Sequence, residues 1–407
     1  MTKVLTYTSP SRGHLFPVVP IMRELARRGH DVAVRTMARH VDELVAMGLD
    51  SAPLAAEIEA IRLDDWQAAS PQEAQMLAFD AFGRRAPHEV ADLRAAIAAE
   101  QPDVLLVDIM SVGGVAMAEA SGLPWASWLP YPAWLRGDGI PPYGPGLPPL
   151  AGPEGIARDA AVAELVAGPA AAVTAGFNQG RSAAGLEPLS EPDDILLQPP
   201  ALLYLTAEPF EYHRVAWPSS FHLIGPCSWE PGTPPVAWLD DGDDRPVILV
   251  STSTDLQDDG RLVSVAFEAL KDREDLLVVA TVPAGDPACY SPPRNGRVEG
   301  FVSHAAVLTR AVAVICHGGM GITQKALAAG VPVCAVPFGR DQPEVARRVE
   351  VSGAGVSLPP TELDPHRLRA AVEATTQRRE GARRIAIAFA AAGGATTAAD
   401  AIESLRP

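Results

Sequence analysis

Residues 312–332 read VAVICHGGMGITQKALAAGVP, a short apolar run followed by glycines and then by small and apolar residues. The run predicts a buried strand, and the spacing of Ile322, Ala326 and Ala329 predicts the helix that follows it. Glycines at such a turn let a ligand approach the backbone, and the helix dipole favours negative charge there. The segment therefore predicts a phosphate site at a helix N-terminus, although tight packing of a helix on a strand also uses glycine.

The same alternation extends from this segment towards both ends of the chain. Strand-like runs occupy residues 4–8, 32–36, 104–107, 125–129, 247–250, 276–282, 312–316 and 333–336. Helical patterns occupy residues 17–28, 113–121, 262–270, 322–329, 344–351 and 368–375. Two runs of alternating strands and helices predict an α/β fold of two Rossmann-like, doubly wound parallel sheets.

Two proline-rich stretches interrupt the alternation. Residues 225–246, GPCSWEPGTPPVAWLDDGDDRP, are also acidic, and they predict a linker between domains at residues 1–224 and 247–407. The last helix is a candidate for packing back on the N-terminal domain. Residues 130–153 predict a long loop, whose aromatic residues either line a pocket or anchor the loop on its own core.

The composition narrows the class of partner. The 407 residues carry a formal net charge of -17, which repels polyanions, so nucleic acid and anionic membrane surfaces are not expected partners. The first residues do not resemble an export signal, and we expect no window of about 20 residues to be apolar enough to span a bilayer. Cys227, Cys289, Cys316 and Cys334 show no paired spacing, which predicts reduced thiols. We therefore expect a cytoplasmic protein without stable membrane association.

The strand after the glycine-rich turn ends in PFGRDQ, at residues 337–342. Because neighbouring strand ends of a doubly wound sheet open onto one crevice, Asp341 and Gln342 are expected to lie near the turn at His317. A carboxylate beside an amide suits a ring of vicinal hydroxyls, and the imidazole can donate to a phosphate oxygen. Asp341 can equally cap the next helix, and the two roles are compatible.

A second candidate site lies in the N-terminal half. His14 is expected in a glycine-containing loop between the first strand and a helix that starts near Pro17, and Asp108 ends another strand of the same sheet. A carboxylate on one imidazole nitrogen fixes the tautomer and stabilises the imidazolium, which leaves the other nitrogen to take a proton. The pair predicts a general base. The alternative is a structural or exposed histidine.

Residues 317–332 followed by PFGRDQ resemble the donor-binding signature of the family-1 nucleotide-sugar glycosyltransferases, in the bacterial natural-product branch of macrolide and enediyne enzymes. Residues 11–36, SRGHLFPVVPIMRELARRGHDVAVRT, resemble the N-terminal signature of that family, and the similarity covers nearly the whole chain. The resemblance implies the GT-B architecture, in which two Rossmann-like domains face each other across a cleft. The N-terminal domain then takes the acceptor and the C-terminal domain the nucleotide sugar.

The resemblance also implies a role for each matching position. The positions implied in nucleotide-sugar binding are Thr254, Phe301, Val302, His317, Gly319, Met320, Gly321, Ile322, Lys325, Asp341 and Gln342. The histidine, the threonine and amides of the glycine-rich turn hold the diphosphate, Phe301 stacks on the base, and the Val302 backbone pairs with the base edge. Asp341 and Gln342 hold sugar hydroxyls.

Two of these positions depart from the family pattern. Ile322 stands where Ser or Thr is usual, which removes one hydroxyl from the phosphate site. Lys325 stands where the family has a Glu that is associated with the ribose hydroxyls. Because an ammonium only donates, we expect deoxythymidine diphosphate sugars to be used at least as well as uridine diphosphate sugars. The alternative is that Lys325 points into solvent.

The resemblance assigns His14 and Asp108 to deprotonation of an acceptor hydroxyl, whose oxygen then displaces the nucleotide with inversion. No cofactor or metal is expected, because backbone amides and His317 neutralise the diphosphate. The acidic residues 240–244 contain a D-x-D that could bind a metal, the alternative being a solvated turn in the linker.

The acceptor is expected to be a small hydrophobic natural product. The candidate lining residues are Met76, Phe79, Phe82, Met110, Trp134 and Tyr143, and the first three share a helical spacing that also suits ordinary core. Two other functions stay open: a nucleotide-sugar epimerase or hydrolase of the same fold, and an auxiliary protein that partners an active transferase. The oligomeric state also stays open, a homodimer included.

Overall fold

The computed structural model describes residues 1–68, 70–232, 236–239, 242–255 and 257–405. These residues form two parallel sheets, one of seven strands and one of six, with helices packed against them. The strands are β1 Lys3–Tyr7, β2 Asp31–Thr36, β3 Asp50–Pro53, β4 Val104–Asp108, β5 Trp125–Leu129, β6 Ala201–Tyr204, β7 Phe221–Leu223, β8 Val247–Ser251, β9 Leu277–Thr281, β10 Gly296–Glu299, β11 Ala311–Cys316, β12 Val333–Ala335 and β13 Gly355–Ser357.

The helices lie between the strands and after the last of them. They are α1 Arg12–Arg27, α2 Val41–Ala46, α3 Ala56–Ala60, α4 Pro71–Glu100, α5 Val112–Ser121, α6 Gly152–Ala184, α7 Pro192–Leu197, α8 Arg261–Leu270, α9 His304–Leu308, α10 Met320–Ala328, α11 Gln342–Val351, α12 Pro365–Thr376, α13 Arg379–Ala391 and α14 Ala395–Ser404.

The strand order places a crevice in each sheet. The first sheet runs β3-β2-β1-β4-β5-β6-β7 and the second β10-β9-β8-β11-β12-β13. The order reverses between β1 and β4 and between β8 and β11, and ligands of doubly wound sheets bind outside the carboxyl ends of the strands at such points. The prediction of two doubly wound parallel sheets is confirmed, and each switch point lies beside one of the two predicted sites.

Helix α1 starts earlier than the sequence indicated. We expected a helix from about Pro17, but α1 begins at Arg12, after an extended Ser11, and it contains Pro17 and Pro20. The error came from taking Pro17 for a first-turn proline, the position that the residue favours. His14 therefore lies in the first turn of a helix and not in a loop, which gives its side chain a fixed direction.

The two longest helices, α4 and α6, were not predicted from the sequence. They span 30 and 33 residues and pack closely against each other. Glycine favours their close approach, since a Cβ at Gly176 of α6 would lie 3.0 Å from the carbonyl oxygen of Phe79 on α4, a tight contact. Each helix is rich in alanine and contains an internal proline, so neither shows the strong apolar stripe by which a helix is recognised.

One expectation about hydropathy was wrong. The stretches Gly152–Ala184 and Arg379–Ser404 each contain an 18-residue window that is long and apolar enough to cross a bilayer by length and composition. Only 22% and 33% of those windows are buried. The small, mostly uncharged side chains of both stretches account for this result.

The C-terminal helix crosses between the domains. Helix α14 packs on α1, and Ala398, Ala399 and Ile402 join the apolar core beneath the first sheet. Arg28 of α1 pairs with Asp400 at 2.6 Å. The last helix thus contacts the N-terminal domain, although the domain limits read from the sequence stay a prediction.

Candidate functional site

The two switch points face each other across one large cleft. Its volume is about 1990 Å³, whereas a pocket for one small molecule usually measures about 300–1,000 Å³. Residues of both domains line it, among them His14 on one side and His317 on the other. The cleft therefore has room for two ligands at once.

The glycine-rich turn between β11 and α10 has the geometry of an anion site. Gly319 is the extended residue that precedes α10, and the first helical bond runs from Thr323 N to Gly319 O at 3.1 Å. The amides of Met320, Gly321 and Ile322 come before that bond, so the helix offers them no acceptor. The Gly321 amide is one of the two that the family resemblance assigns to a diphosphate, and the other, Gly319 N, directly precedes the helix.

Two glycines of the turn are required by its shape. Gly318 has a φ of +81°, a left-handed conformation that glycine adopts without strain. A Cβ at Gly319 would lie 2.2 Å from Nε2 of His317. The absence of that Cβ lets the imidazole lie against the start of α10, beside the free amides.

His317 is buried, and burial lowers the pKa of its imidazole. Its Nδ1 lies 3.4 Å from the carbonyl oxygen of Ser251, which can only accept, so Nδ1 carries a proton. In the neutral imidazole, Nε2 is then an acceptor and not a donor. His317 can donate from Nε2 to a phosphate oxygen only after it takes up a second proton.

Most other residues assigned to the nucleotide line the same half of the cleft. Thr254 follows β8, and the half-exposed ring of Phe301 follows β10, both at the cleft wall. The side chains of Val302 and Ile322 are buried in the core of the C-terminal domain. Ile322 consequently offers a ligand only its backbone amide.

The loop after β12 holds Asp341 and Gln342 in different ways. Asp341 precedes α11, yet its side chain makes no capping hydrogen bond, which leaves the carboxylate available to a ligand. Burial raises the pKa of this carboxyl. Gln342, by contrast, accepts from the amides of Phe338 and Gly339 at 2.7 and 3.0 Å. In this structure its side-chain oxygen braces the loop, so a role towards sugar hydroxyls remains a prediction.

The structure brings His14 and Asp108 together. Nδ1 of His14 lies 2.9 Å from Oδ1 of Asp108, whose side chain is fully buried. The carboxylate also accepts from Ser9 N and Ser9 Oγ at 3.1 and 2.6 Å and from Met110 N at 3.0 Å. With four donors around it, Asp108 stays ionised and accepts from Nδ1–H, so Nε2 of His14 carries a free lone pair.

The electrostatics of this pair favour a base. Burial alone would lower the pKa of His14, but the Asp108 carboxylate outweighs it and raises the pKa above its ordinary value. Burial would likewise raise the pKa of Asp108, and the opposing contacts with His14, Ser9 and Met110 N lower it. The Asp341 carboxylate, on the other domain, also contributes to the raised pKa of His14, so the two candidate sites lie within electrostatic reach of each other.

Aromatic side chains continue from His14 along the acceptor half of the cleft. The ring of Tyr131 lies 5.7 Å from that of His14, Trp134 stacks 6.1 Å from Tyr131, and Tyr143 lies 6.4 Å from Trp134. Phe79, Phe82 and Met110, which were predicted to line a pocket, also reach the cleft. Trp134 Nε1 donates to Pro192 O at 2.9 Å, so this ring both lines the cleft and anchors its loop.

Met76 is a wrong assignment. Its side chain is 49% exposed and lies outside the cleft. Gln75, Phe79 and Phe82 form the stripe of α4 that faces the cleft, and Met76 stands about 100° round the helix from Gln75. The helical spacing that Met76 shares with Phe79 does not define which face of the helix lines the cleft.

Sequence reasoning named Tyr131 only as one aromatic of the loop at residues 130–153, and it missed Arg340 and Asp65. The Tyr131 hydroxyl is buried and has no hydrogen-bond partner within the described part of the chain. Arg340, with a φ of 54°, makes a bidentate pair with Asp65 of the other domain at 2.7 and 2.8 Å. No sequence pattern predicts an arginine with a left-handed backbone conformation. The pair also joins residues that are 275 positions apart, so local sequence gives no hint of it.

A second interdomain contact involves α11. Glu344 accepts from the amides of Gly144 and Gly146 in the aromatic loop at 2.8 and 2.9 Å. Gly146 has a φ of +65°, and a Cβ there would lie 2.3 Å from Pro343 O. The contact fixes the loop that carries Tyr143 against the helix that follows Asp341.

Lys325 does not point into solvent. Its Nζ lies 2.9 Å from Oε1 of Glu230, a residue of the linker between the two sheets. The side chains of both residues are mostly buried at the cleft wall. A carboxylate is therefore present beside the position where the family pattern has one, although it comes from another segment.

The structure describes only part of the acidic residues 240–244. Asp240 and Asp241 lie outside the described residues, and Asp243 pairs with Arg245 at 2.6 Å. The hydrogen bond from Arg245 lowers the pKa of Asp243 to about 2. Among the described residues, no cluster of three or more His, Cys, Asp or Glu could hold a metal ion.

Proteins similar to this chain include enzymes of natural-product biosynthesis. The family described as "Erythromycin biosynthesis protein CIII-like, C-terminal domain" matches residues 268–405. The 4'-demethylrebeccamycin synthase of Lentzea aerocolonigenes is 32% identical over 438 aligned positions, which cover 99% of each chain.

Solved structures agree in fold over the whole chain. The glycotransferase of kitacinnamycin superposes with a TM-score of 0.75 at 26% identity, covering 100% of this chain and 99% of that one. SsfS6 of Streptomyces sp. SF2575, complexed with thymidine diphosphate, gives a TM-score of 0.69 at 19% identity, covering 99% and 100%. Together with the switch-point cleft and its two facing sites, these similarities show that the chain belongs to the family-1 nucleotide-sugar glycosyltransferases of the GT-B fold, in their bacterial natural-product branch.

Proposed function

We propose that this glycosyltransferase is inverting and independent of metal, and that it moves a sugar from a nucleoside diphosphate to a hydroxyl of a small hydrophobic natural product. The observation that carries the proposal is the His14–Asp108 pair at 2.9 Å, facing a helix N-terminus with free amides across one cleft. The aromatic wall beside His14 supports an apolar acceptor. The same proposal includes a cytoplasmic location.

The proposed reaction uses the lone pair on Nε2 of His14. The acceptor hydroxyl gives its proton to Nε2 while its oxygen forms a bond to the anomeric carbon. The bond from that carbon to the diphosphate oxygen breaks, and the electron pair leaves with the nucleotide. Asp108 stabilises the imidazolium, and the amides at the start of α10 stabilise the departing diphosphate. Attack opposite the leaving group inverts the anomeric centre.

A product screen tests the proposal directly. The pure protein is incubated with a panel of uridine and deoxythymidine diphosphate sugars and with hydroxylated polyketides and flavonoids, and glycosides are identified by mass. The anomeric configuration of a product, read by NMR, tests inversion. Sugar release without an acceptor product would favour a hydrolase, an isomeric nucleotide sugar an epimerase, and activity that needs a second protein an auxiliary role.

Metal removal should leave the transfer rate almost unchanged. The diphosphate is held by backbone amides at α10, and Asp243 is already paired with Arg245. The measurement is the initial rate after dialysis against EDTA, with and without added Mg²⁺. A loss of activity on chelation that Mg²⁺ restores would contradict the proposal and point to residues 240–244.

The nucleotide preference should favour deoxythymidine or be neutral. Lys325 donates to Glu230 and cannot accept from a ribose hydroxyl, so the 2'-hydroxyl of a uridine donor gains no acceptor from it. The measurement is kcat/KM for one sugar on both nucleotides, in the native protein and in Lys325→Glu. A clear native preference for uridine would contradict the expectation, and an unchanged ratio in the variant would show that residue 325 does not read the ribose.

Donor binding should be accompanied by proton uptake at His317. Burial lowers the pKa of the free imidazole, and an adjacent anion raises it, so at a pH between the two values a proton is taken up and donor affinity falls as pH rises. Calorimetry with a nucleotide sugar in buffers of different ionisation enthalpy measures the uptake, because neither esterified phosphate titrates near neutral pH. We expect His317→Gln to abolish the uptake. Proton release by the native protein would contradict this role.

A further inference from the structure

A network of polar side chains lies at the cleft wall between the phosphate turn and Phe301. Oε1 of Glu230 accepts from Lys325 Nζ at 2.9 Å, and Oε2 accepts from Ser303 Oγ at 2.8 Å and from Ala305 N at 3.4 Å. The Glu230 side chain is only 14% exposed, yet it lines the cleft. Three donors, at the start of α9 and on α10, therefore fix one carboxylate at the wall of the donor half.

The position of this carboxylate along the cleft is defined by its partners. Ser303 lies two residues after Phe301, the ring assigned to the base. Lys325 lies about one turn of α10 beyond Gly321, whose amide is assigned to the diphosphate. In every nucleoside diphosphate the pentose joins the base to the diphosphate, so the Glu230 carboxylate lies where a pentose bound between these two sites must pass.

We propose that Glu230 is a donor-binding residue whose carboxylate accepts a hydrogen bond from a pentose hydroxyl, while Lys325 and Ser303 hold it in place. The inference rests on the proposed nucleotide site and adds to it a residue of the interdomain linker. A carboxylate offers about four acceptor positions, and the three donors of this network occupy three of them. One acceptor position remains, which matches the single ring hydroxyl of a deoxythymidine nucleotide.

The linker residue before Glu230 is held in place by packing against the N-terminal domain. The preceding residue, Trp229, packs edge-on against Phe16 of α1, with ring centroids 5.2 Å apart. Phe16 is two residues from His14. Adjacent residues of the linker thus contact the acceptor domain and the donor domain, which fixes where the Glu230 carboxylate enters the cleft.

The test removes the carboxylate and the hydroxyl separately and together. Calorimetry of the full chain compares thymidine diphosphate with 3'-deoxythymidine diphosphate in the native protein, Glu230→Ala and Glu268→Ala. Because a hydrogen bond to a charged group is worth about 1.5–3 kcal/mol, we expect the native protein to bind the 3'-deoxy compound about ten-fold or more weakly. Glu268→Ala, a control that removes an exposed carboxylate of α8 outside the cleft, should keep this discrimination, and Glu230→Ala should lose it.

The outcomes separate this inference from the proposed function. If the native protein binds neither thymidine nor uridine diphosphate, the proposed function fails and the inference with it. If it binds them but Glu230→Ala weakens both thymidine compounds by the same factor, Glu230 only anchors the linker and the inference is wrong. Should Glu230→Ala fail to fold, Glu230→Gln keeps the side-chain volume, and its neutral oxygen should give a discrimination clearly below the native one.

Discussion

Replacement of His14 by alanine should lower the rate of sugar transfer at least ~10²-fold, the usual scale of general-base catalysis. The variant should bind the nucleotide sugar normally, because His14 lies across the cleft from the start of α10. Single-turnover rates and calorimetric affinities measure the two effects separately. His366→Ala is a matched control, since His366 is an exposed histidine of α12 outside the cleft. Near-native turnover of His14→Ala would refute the assignment.

The pH dependence gives this assignment a second readout. The base must be neutral, and Asp108 raises the pKa of His14, so activity should fall as the pH drops through that raised value. In Asp108→Asn the counter-charge is gone, and the acidic limb of the profile should move to lower pH. The plateau should fall by roughly 10²–10⁴-fold, because the tautomer and the imidazolium are no longer stabilised. An acidic limb that does not move would show that Asp108 does not set the protonation of His14.

The sequence was sufficient for features that depend on local pattern. The apolar runs before His317 and up to Asp108 identified buried parallel strands, and parallel strands bring their carboxyl ends to one edge. The contact between His14 and Asp108 followed from this rule. The limits of helix α1 did not, because Pro17 lies in its interior, and the rule that places proline in the first turn gave the wrong start.

Contacts between distant segments of the chain could not be predicted from local pattern. The pairs Arg340–Asp65 and Lys325–Glu230 join residues 275 and 95 positions apart. Their existence depends on how the two domains and the linker between them pack together, and no periodicity in the sequence records that packing. Lys325 is an example. The sequence shows only that it replaces the Glu of the family pattern, whereas the structure shows that it pairs with another carboxylate, that of Glu230.

Replacement of Arg348 by methionine should cause the second large effect, a loss of stability. Arg348 lies on α11, and its guanidinium contacts Glu211 at 2.8 Å and Glu344 at 3.0 Å, with all three side chains nearly inaccessible to solvent. It also lies 4.2 Å from the ring centre of Tyr212. Removing the cation leaves two buried carboxylates without a counter-charge, and breaking a buried pair in this way typically costs about 3–5 kcal/mol.

A surface arginine provides the comparison for this variant. Arg369 pairs with Asp272 at 3.9 Å and with Glu373 at 3.8 Å, and its side chain is 37% exposed. Arg369→Met should cost less than about 1 kcal/mol, as exposed ion pairs do. Urea unfolding followed by tryptophan fluorescence and by far-UV circular dichroism measures both variants. Equal losses would show that the buried cluster contributes no more than a surface pair.

A double variant separates two causes of the lost stability in Arg348→Met, the unpaired buried charges and the lost side-chain packing. Adding Glu211→Gln to Arg348→Met removes one stranded charge while it keeps the side-chain volume, so the double variant should regain part of the stability. Glu344 also holds the amides of Gly144 and Gly146, in the loop that carries Tyr143. Through Glu344, Arg348 supports both α11 and the loop that carries Tyr143. Because this loop lines the acceptor half of the cleft, Arg348→Met should raise KM for the acceptor even where the protein remains folded. A double variant that is less stable than Arg348→Met would show that the stranded charge is not the source of the loss.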